Sequence, residues 1–214
     1  MNLSLSHDSP INTSFSNSAG QVLYRSETPL KWYGRITRIY KVVPNEYPED
    51  MEDRFEEVAR IEWRGPKSST FRYKGRECLT KDFFRHHGVS GRSVSLLYLR
   101  SWLTCIPRRR CFVASDGEYY KWTLGTHGST VSHILPIPSH LTCIQLELIR
   151  SKLPIARSHR RSLNLLKFGK DKSSQPREAF IEILPEGIHI LEDVAVTWVF
   201  AEILRRVLEA ERIR

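Results

Sequence analysis

The last thirty residues, Pro185–Arg214, constrain this chain more than any other stretch. Pro185-Glu186-Gly187 is a turn signal. After it, Val194, Ala195, Val196, Trp198, Val199, Phe200 and Ala201 place apolar groups on almost every side of a helix. A helix that is apolar all round belongs inside something. Spanning a bilayer takes about 20 apolar residues. Here Glu192 and Asp193 bound the run on one side, and Glu202, Arg205 and Arg206 close it on the other. The expectation is a buried core helix rather than a transmembrane span, with 207–214 as a charged end in solvent. The rest of the chain then has to supply its shell.

The shell reads as strands. Arg35–Val43 and Val58–Trp63 are β-branched and alternating, which suits a pleated, half-buried surface. Ser69–Tyr73 and Arg76–Leu79 flank Lys74-Gly75 as a hairpin, and Thr80–Arg85 reads as one helical turn capped by Thr80. Asp116-Gly117 between Cys111–Ala114 and Tyr119–Leu124 is the strongest local signal, because glycine supplies the positive φ that such a turn needs. Leu141–Ile149 with Pro154–Arg160, and then Ala179–Leu184, complete the set. Residues 1–19, rich in Ser and Asn, read as a disordered tail with at most one short strand, Thr13–Ser16. Pro44–Arg54 reads as a loop, and the acidic window Glu46–Glu57 as a solvated one. No linker or internal repeat divides 20–206. The fold class expected is mainly β: an antiparallel barrel or sandwich of nine or ten strands enclosing the C-terminal apolar helix.

The segments GQVLYRSETP, ARIEW, DGEYYKWTLG, PIARSHRRSL and IEILPEGIHILEDVAVTWVFAEILRR resemble the pattern of a fungal family, domain of unknown function 6593. The family implies no activity. Its pattern is in turn similar to that of tubby-like barrels and their scramblase-type relatives, which implies antiparallel strands around a C-terminal helix. Fold alone does not carry function. Ser93–Arg110 and Thr126–Thr142 depart from the family pattern. They read as surface loops or as translated intron sequence.

Chemical signatures are sparse. Cys78, Cys105, Cys111 and Cys143 form no C-x-x-C pair, and Met1–Gly20 has no secretory pattern. Both favour a reducing, intracellular and cytoplasmic setting, with a nuclear address still open. His127, His133, His140 and Cys143 lack metal-ligand spacing, and His86-His87 reads as a solvated pair. There is no P-loop, dinucleotide fingerprint or nucleophile elbow. A non-catalytic domain with no cofactor and no metal is therefore expected.

The charge is more informative. The formal net charge is +9, which suits an anionic partner. Between Ser151 and Arg177 eight cationic residues stand against one acidic residue, Asp171, a balance of +7. Lys152, Arg157, Arg160, Arg161, Lys167 and Lys170 are the candidate anion-binding residues, with Leu163, Leu165, Leu166 and Phe168 interleaved among them. Such mixing suits an anionic membrane surface. A protein partner belongs to the same reading; the alternatives are nucleic acid on the same basic face and an enzyme with an unrecognised pocket.

Overall fold

Side chains alternate between buried and exposed along strand after strand, as a sheet with one face in a core requires. Tyr119–Leu124 is typical: Tyr120, Trp122 and Leu124 are buried and their neighbours are not. The computed structural model describes residues 1–29, 35–43, 53–64, 69–84, 109–124, 144–159 and 178–212. The described strands are β1 (Asn2–Leu5), β2 (Thr13–Ser16), β3 (Val22–Glu27), β4 (Arg35–Val43), β5 (Arg54–Trp63) and β6 (Thr70–Tyr73). They continue as β7 (Arg76–Leu79), β8 (Arg109–Val113), β9 (Tyr119–Leu124), β10 (Ile144–Leu148), β11 (Pro154–His159) and β12 (Phe180–Ile183). One short helix, α1 (Thr80–Phe83), follows β7, and a 3-10 turn over Pro185–Ile190 leads into α2 (Leu191–Arg212).

All twelve strands belong to one sheet, in the order β7-β6-β5-β4-β3-β2-β1-β12-β11-β10-β9-β8, with antiparallel neighbours throughout. Its inner face packs on α2, whose residues Asp193–Glu202 are all buried. Trp198 meets Phe15 of β2 edge-on with ring centroids 5.5 Å apart. Trp122 of β9 donates its indole N–H to Thr197 Oγ1 at 2.9 Å. The expectation of a mainly β, antiparallel fold around an apolar C-terminal helix holds.

The sheet does not close by hydrogen bonding. Its edges, β7 and β8, are not paired with each other. Instead α1 bridges them with rings. Phe83 stacks over Phe112 of β8 at 6.2 Å, and Phe84 stacks on Phe200 of α2 at 4.0 Å.

Several expectations are corrected. Residues 1–19 are not a disordered tail: β1 lies inside the sheet between β2 and β12, with Leu3 opposite Ile181, and Leu3 is fully buried. Strand β5 begins at Arg54, so Glu56 and Glu57 of the acidic window are on a strand, where Glu57 pairs with Arg60 at 2.9 Å and Arg38 at 3.5 Å. The cap of α1 is Leu79, with no side-chain hydrogen bond, rather than Thr80. Arg109 and Arg110 belong to β8, opposite Thr123 and Trp122. The rest of Ser93–Arg110, and all of Thr126–Thr142, lie outside the described residues. At the far end, α2 runs on to Arg212.

Candidate functional site

Because consecutive strands alternate in direction, the turns β2–β3, β6–β7, β8–β9 and β10–β11 all lie at the end of the sheet where α2 begins. Polar contacts tie these turns to the helix start. Asp193, only 2% exposed, accepts hydrogen bonds from Tyr73 Oη at 3.0 Å and from Ser115 Oγ. Lys74 Nζ lies 3.5 Å from the same carboxylate. Glu192 pairs with Lys41 Nζ at 3.1 Å. Two carboxylates in the first turn also suit the positive end of the helix dipole. Burial first, then the charges of Asp193 and Glu192, push the Tyr73 hydroxyl far above the usual tyrosine range. Burial, followed by Glu192 and Asp193, does the same to Tyr24.

A second cluster adjoins the first. Tyr120 donates its hydroxyl to Asp116 Oδ2 at 2.7 Å, and His189 Nε2 lies 3.0 Å from the same oxygen. Burial alone would raise the Asp116 pKa. Hydrogen bonds from Tyr120, the Glu118 N–H and His189 outweigh it and hold the carboxyl below its ordinary value. These groups do not form a nucleophilic relay. Ser115 bonds Asp193 while His189 bonds Asp116, so among the described residues the hydroxyl has no imidazole base.

The outer rim of this end is apolar. Seven large hydrophobic side chains are exposed among the described residues: Met1, Phe55, Val113, Tyr119, Leu153, Ile188 and Val207. All except Val207 sit on or beside the turns at the end where α2 starts. Val113 and Tyr119 face each other across β8 and β9, and the Ile149 N–H donates to the Tyr119 carbonyl at 2.9 Å. The adjoining turn carries Arg150 and Lys152, both exposed, with Lys152 in the left-handed region at φ 58°. Arg150 NH1 comes no closer than 3.9 Å to Glu118.

Of the basic residues singled out in the sequence, Lys152 and Arg157 are among the described residues. Lys152 is at the apolar end. Arg157 lies mid-strand on β11, which runs away from that end, and its NH1 is 3.9 Å from Glu182. Arg160, Arg161, Lys167 and Lys170 lie outside the described residues, as do His86, His87, His127, His133, His140, Cys105 and Cys143. Among the described residues no group of three His, Cys, Asp or Glu side chains could hold a metal ion. None of the described helices is long and apolar enough to cross a membrane. Cys78 is half-buried and Cys111 buried, and both are free thiols. Burial first, then Asp82 and Glu77, push the Cys78 thiol up, away from the thiolate. Sequence reasoning missed Val113, Tyr119, Arg150, Leu153 and Ile188. For all of these but Arg150 the signal is an apolar residue set on or directly beside a turn.

No curated protein and no solved structure matches this chain. A model described as a family of unknown function, DUF6593, matches residues 8–207. With nearly the whole sheet and all of the buried stretch of α2 inside that match, the chain belongs to the DUF6593 family.

Proposed function

We propose that this protein is a non-catalytic binding domain that docks on an anionic lipid surface with the end at which α2 begins. The observation that carries the reading is the gathering of six exposed large apolar side chains at that one end, with Arg150 and Lys152 among them. Apolar groups at turn tips dip into the headgroup boundary, and each nearby cation adds about 1 kcal/mol on anionic lipid. A likeness to tubby-like and scramblase-type domains belongs to the same proposal. It draws support from the single antiparallel sheet and its buried terminal helix. An intracellular site of action draws support from the free thiols of Cys78 and Cys111.

Sedimentation with phosphatidylserine-containing vesicles tests it. The parent should bind. Arg150→Gln with Lys152→Gln should weaken binding by about 2 kcal/mol, and Leu153→Ser with Ile188→Ser should weaken what survives at high salt. Arg160, Arg161, Lys167 and Lys170 replaced together by Gln form the third arm. If that variant alone loses binding, the contact lies in the basic segment and the end-on reading fails. If the parent ignores vesicles but shifts RNA or DNA with a steep salt dependence, the partner is a nucleic acid.

A further inference from the structure

Among the described residues β7 has a strand neighbour on one side only. It pairs with β6, and β8, at the other end of the sheet, is not paired with it. Alternate residues of an antiparallel strand turn their N–H and C=O to opposite sides. An end strand therefore presents a row of donors and acceptors that an added strand can pair with. Between the two edges lies a cleft of about 1110 Å³. Glu77 and Cys78 of β7 line it together with Asp82 and Phe83 of α1, and Phe112 and Val113 of β8 line it from the other edge.

The side chains along β7 sort by face. Cys78 stands opposite the buried Phe71 and so faces the core, whereas Glu77 stands opposite the exposed Arg72 and so faces solvent. Phe83 and Phe112, stacked at 6.2 Å, add apolar surface to the cleft. No ion pair joins Glu77 to Arg72, and neither Glu77 nor Asp82 has an ion-pair partner among the described residues. Burial first, then the charges of Asp82 and Glu77, raise the Cys78 thiol, so both carboxylates lie around that one residue. Arg76 stands opposite Tyr73, on the other face from Glu77. Lys74 and Asp193 already pair with each other at 3.5 Å.

We propose that the β7 edge is a docking site for an extended peptide of alternating apolar and basic residues, added as a strand with its apolar side chains toward Phe83 and Phe112 and its basic ones toward Glu77 and Asp82. Each observation supplies one part of that chemistry. Unpaired backbone groups in series are matched by another extended backbone. Rings on one side of the added strand take every second side chain. Carboxylates with no cation of their own take a Lys or Arg from the alternate positions. An acyl chain would cover the rings and leave the edge donors unmet. The site does not depend on docking at a membrane: vesicle binding can fail and the edge still take a peptide.

The probe is the peptide Ac-Lys-Val-Lys-Val-Lys-Val-NH2, titrated into the full chain by calorimetry at low salt. The expected result is saturable one-to-one binding, with amide exchange slowed at Arg76–Leu79. N-methylation of every peptide residue keeps the side chains, removes the donors and should abolish that binding. The same peptide with Glu in place of Lys should bind more weakly. Glu77→Gln with Asp82→Gln, both exposed in the parent, should weaken the lysine peptide roughly fivefold and remove its advantage over the glutamate peptide. Absence of saturable binding by the folded parent overturns the proposal. So does equal binding of the N-methylated peptide, a preference for lysine that survives in the double variant, or slowed exchange that spares β7. Leu153→Ser with Ile188→Ser, which removes apolar groups that the membrane reading needs, should bind the peptide as the parent does.

Discussion

Tyr73 shows how one residue couples the sheet to the helix. Its ring is buried on β6 and its hydroxyl reaches the nearly inaccessible Asp193. Leaving a buried acceptor short of a donor costs about 1–3 kcal/mol, so Tyr73→Phe should lower stability by that order in a denaturant titration. The raised hydroxyls of Tyr73, Tyr24 and Tyr120 also set a pH dependence. The unfolded chain releases these protons near the ordinary tyrosine pKa, about 10, while the folded chain still holds them. Stability should be complete below about pH 10 and fall above it. Melting temperatures across alkaline buffers check this, and Tyr73→Phe should flatten the decline. Little of this was visible in the sequence. The spacing of Tyr73 and Asp193, 120 residues apart, carries no local signal. Lys152 was singled out for its charge alone, and its place at the apolar end follows from the β10–β11 turn. Arg157 was grouped with it by proximity in the chain, yet on a strand that distance separates them along the sheet.

At the scale of the element, α2 was the most legible part. Its all-round apolar stretch is buried as its composition demands, and its two charged flanks both find partners. Asp193 has Tyr73, Ser115 and Lys74, while Glu202 receives Arg205 Nε at 2.7 Å and Arg206 Nε at 2.8 Å. Trp198→Ala should cost about 3–5 kcal/mol, since the ring is 1% exposed against Phe15; an unchanged melting temperature would contradict that placement. Hairpins with strong turn chemistry were equally readable, with Gly117 and Gly75 both at positive φ as the turns require. Strand β1 was not, because Asn-Leu-Ser-Leu is short and half polar, and only Leu3 and Leu5 face the core. The short helix α1 is legible as one helical turn, though its cap is Leu79 and not Thr80. Its role, closing the gap between sheet edges with Phe83 and Phe84, depends on which strands end there.

At the scale of the molecule, the position of β1 governs what can be removed. Ten of the eleven strand pairings join neighbours in sequence, and the eleventh joins β1 to β12. Deleting residues 1–6 removes the strand that β2 and β12 both pair with. The truncated protein should therefore fail to fold, read as loss of a cooperative thermal transition, whereas a disordered tail would be removable without effect. That pairing also bears on synthesis. Leu3 meets Ile181, so β1 emerges from the ribosome among the first strands and waits for a partner made among the last. At roughly 5–20 residues per second the wait is on the order of ten seconds or more. Throughout it, β1 offers an unfilled edge and β2–β7 lack the helix they are to cover. The nascent chain is thus committed to late, near-complete assembly, and a shielding chaperone during translation should raise its yield more than one supplied after release.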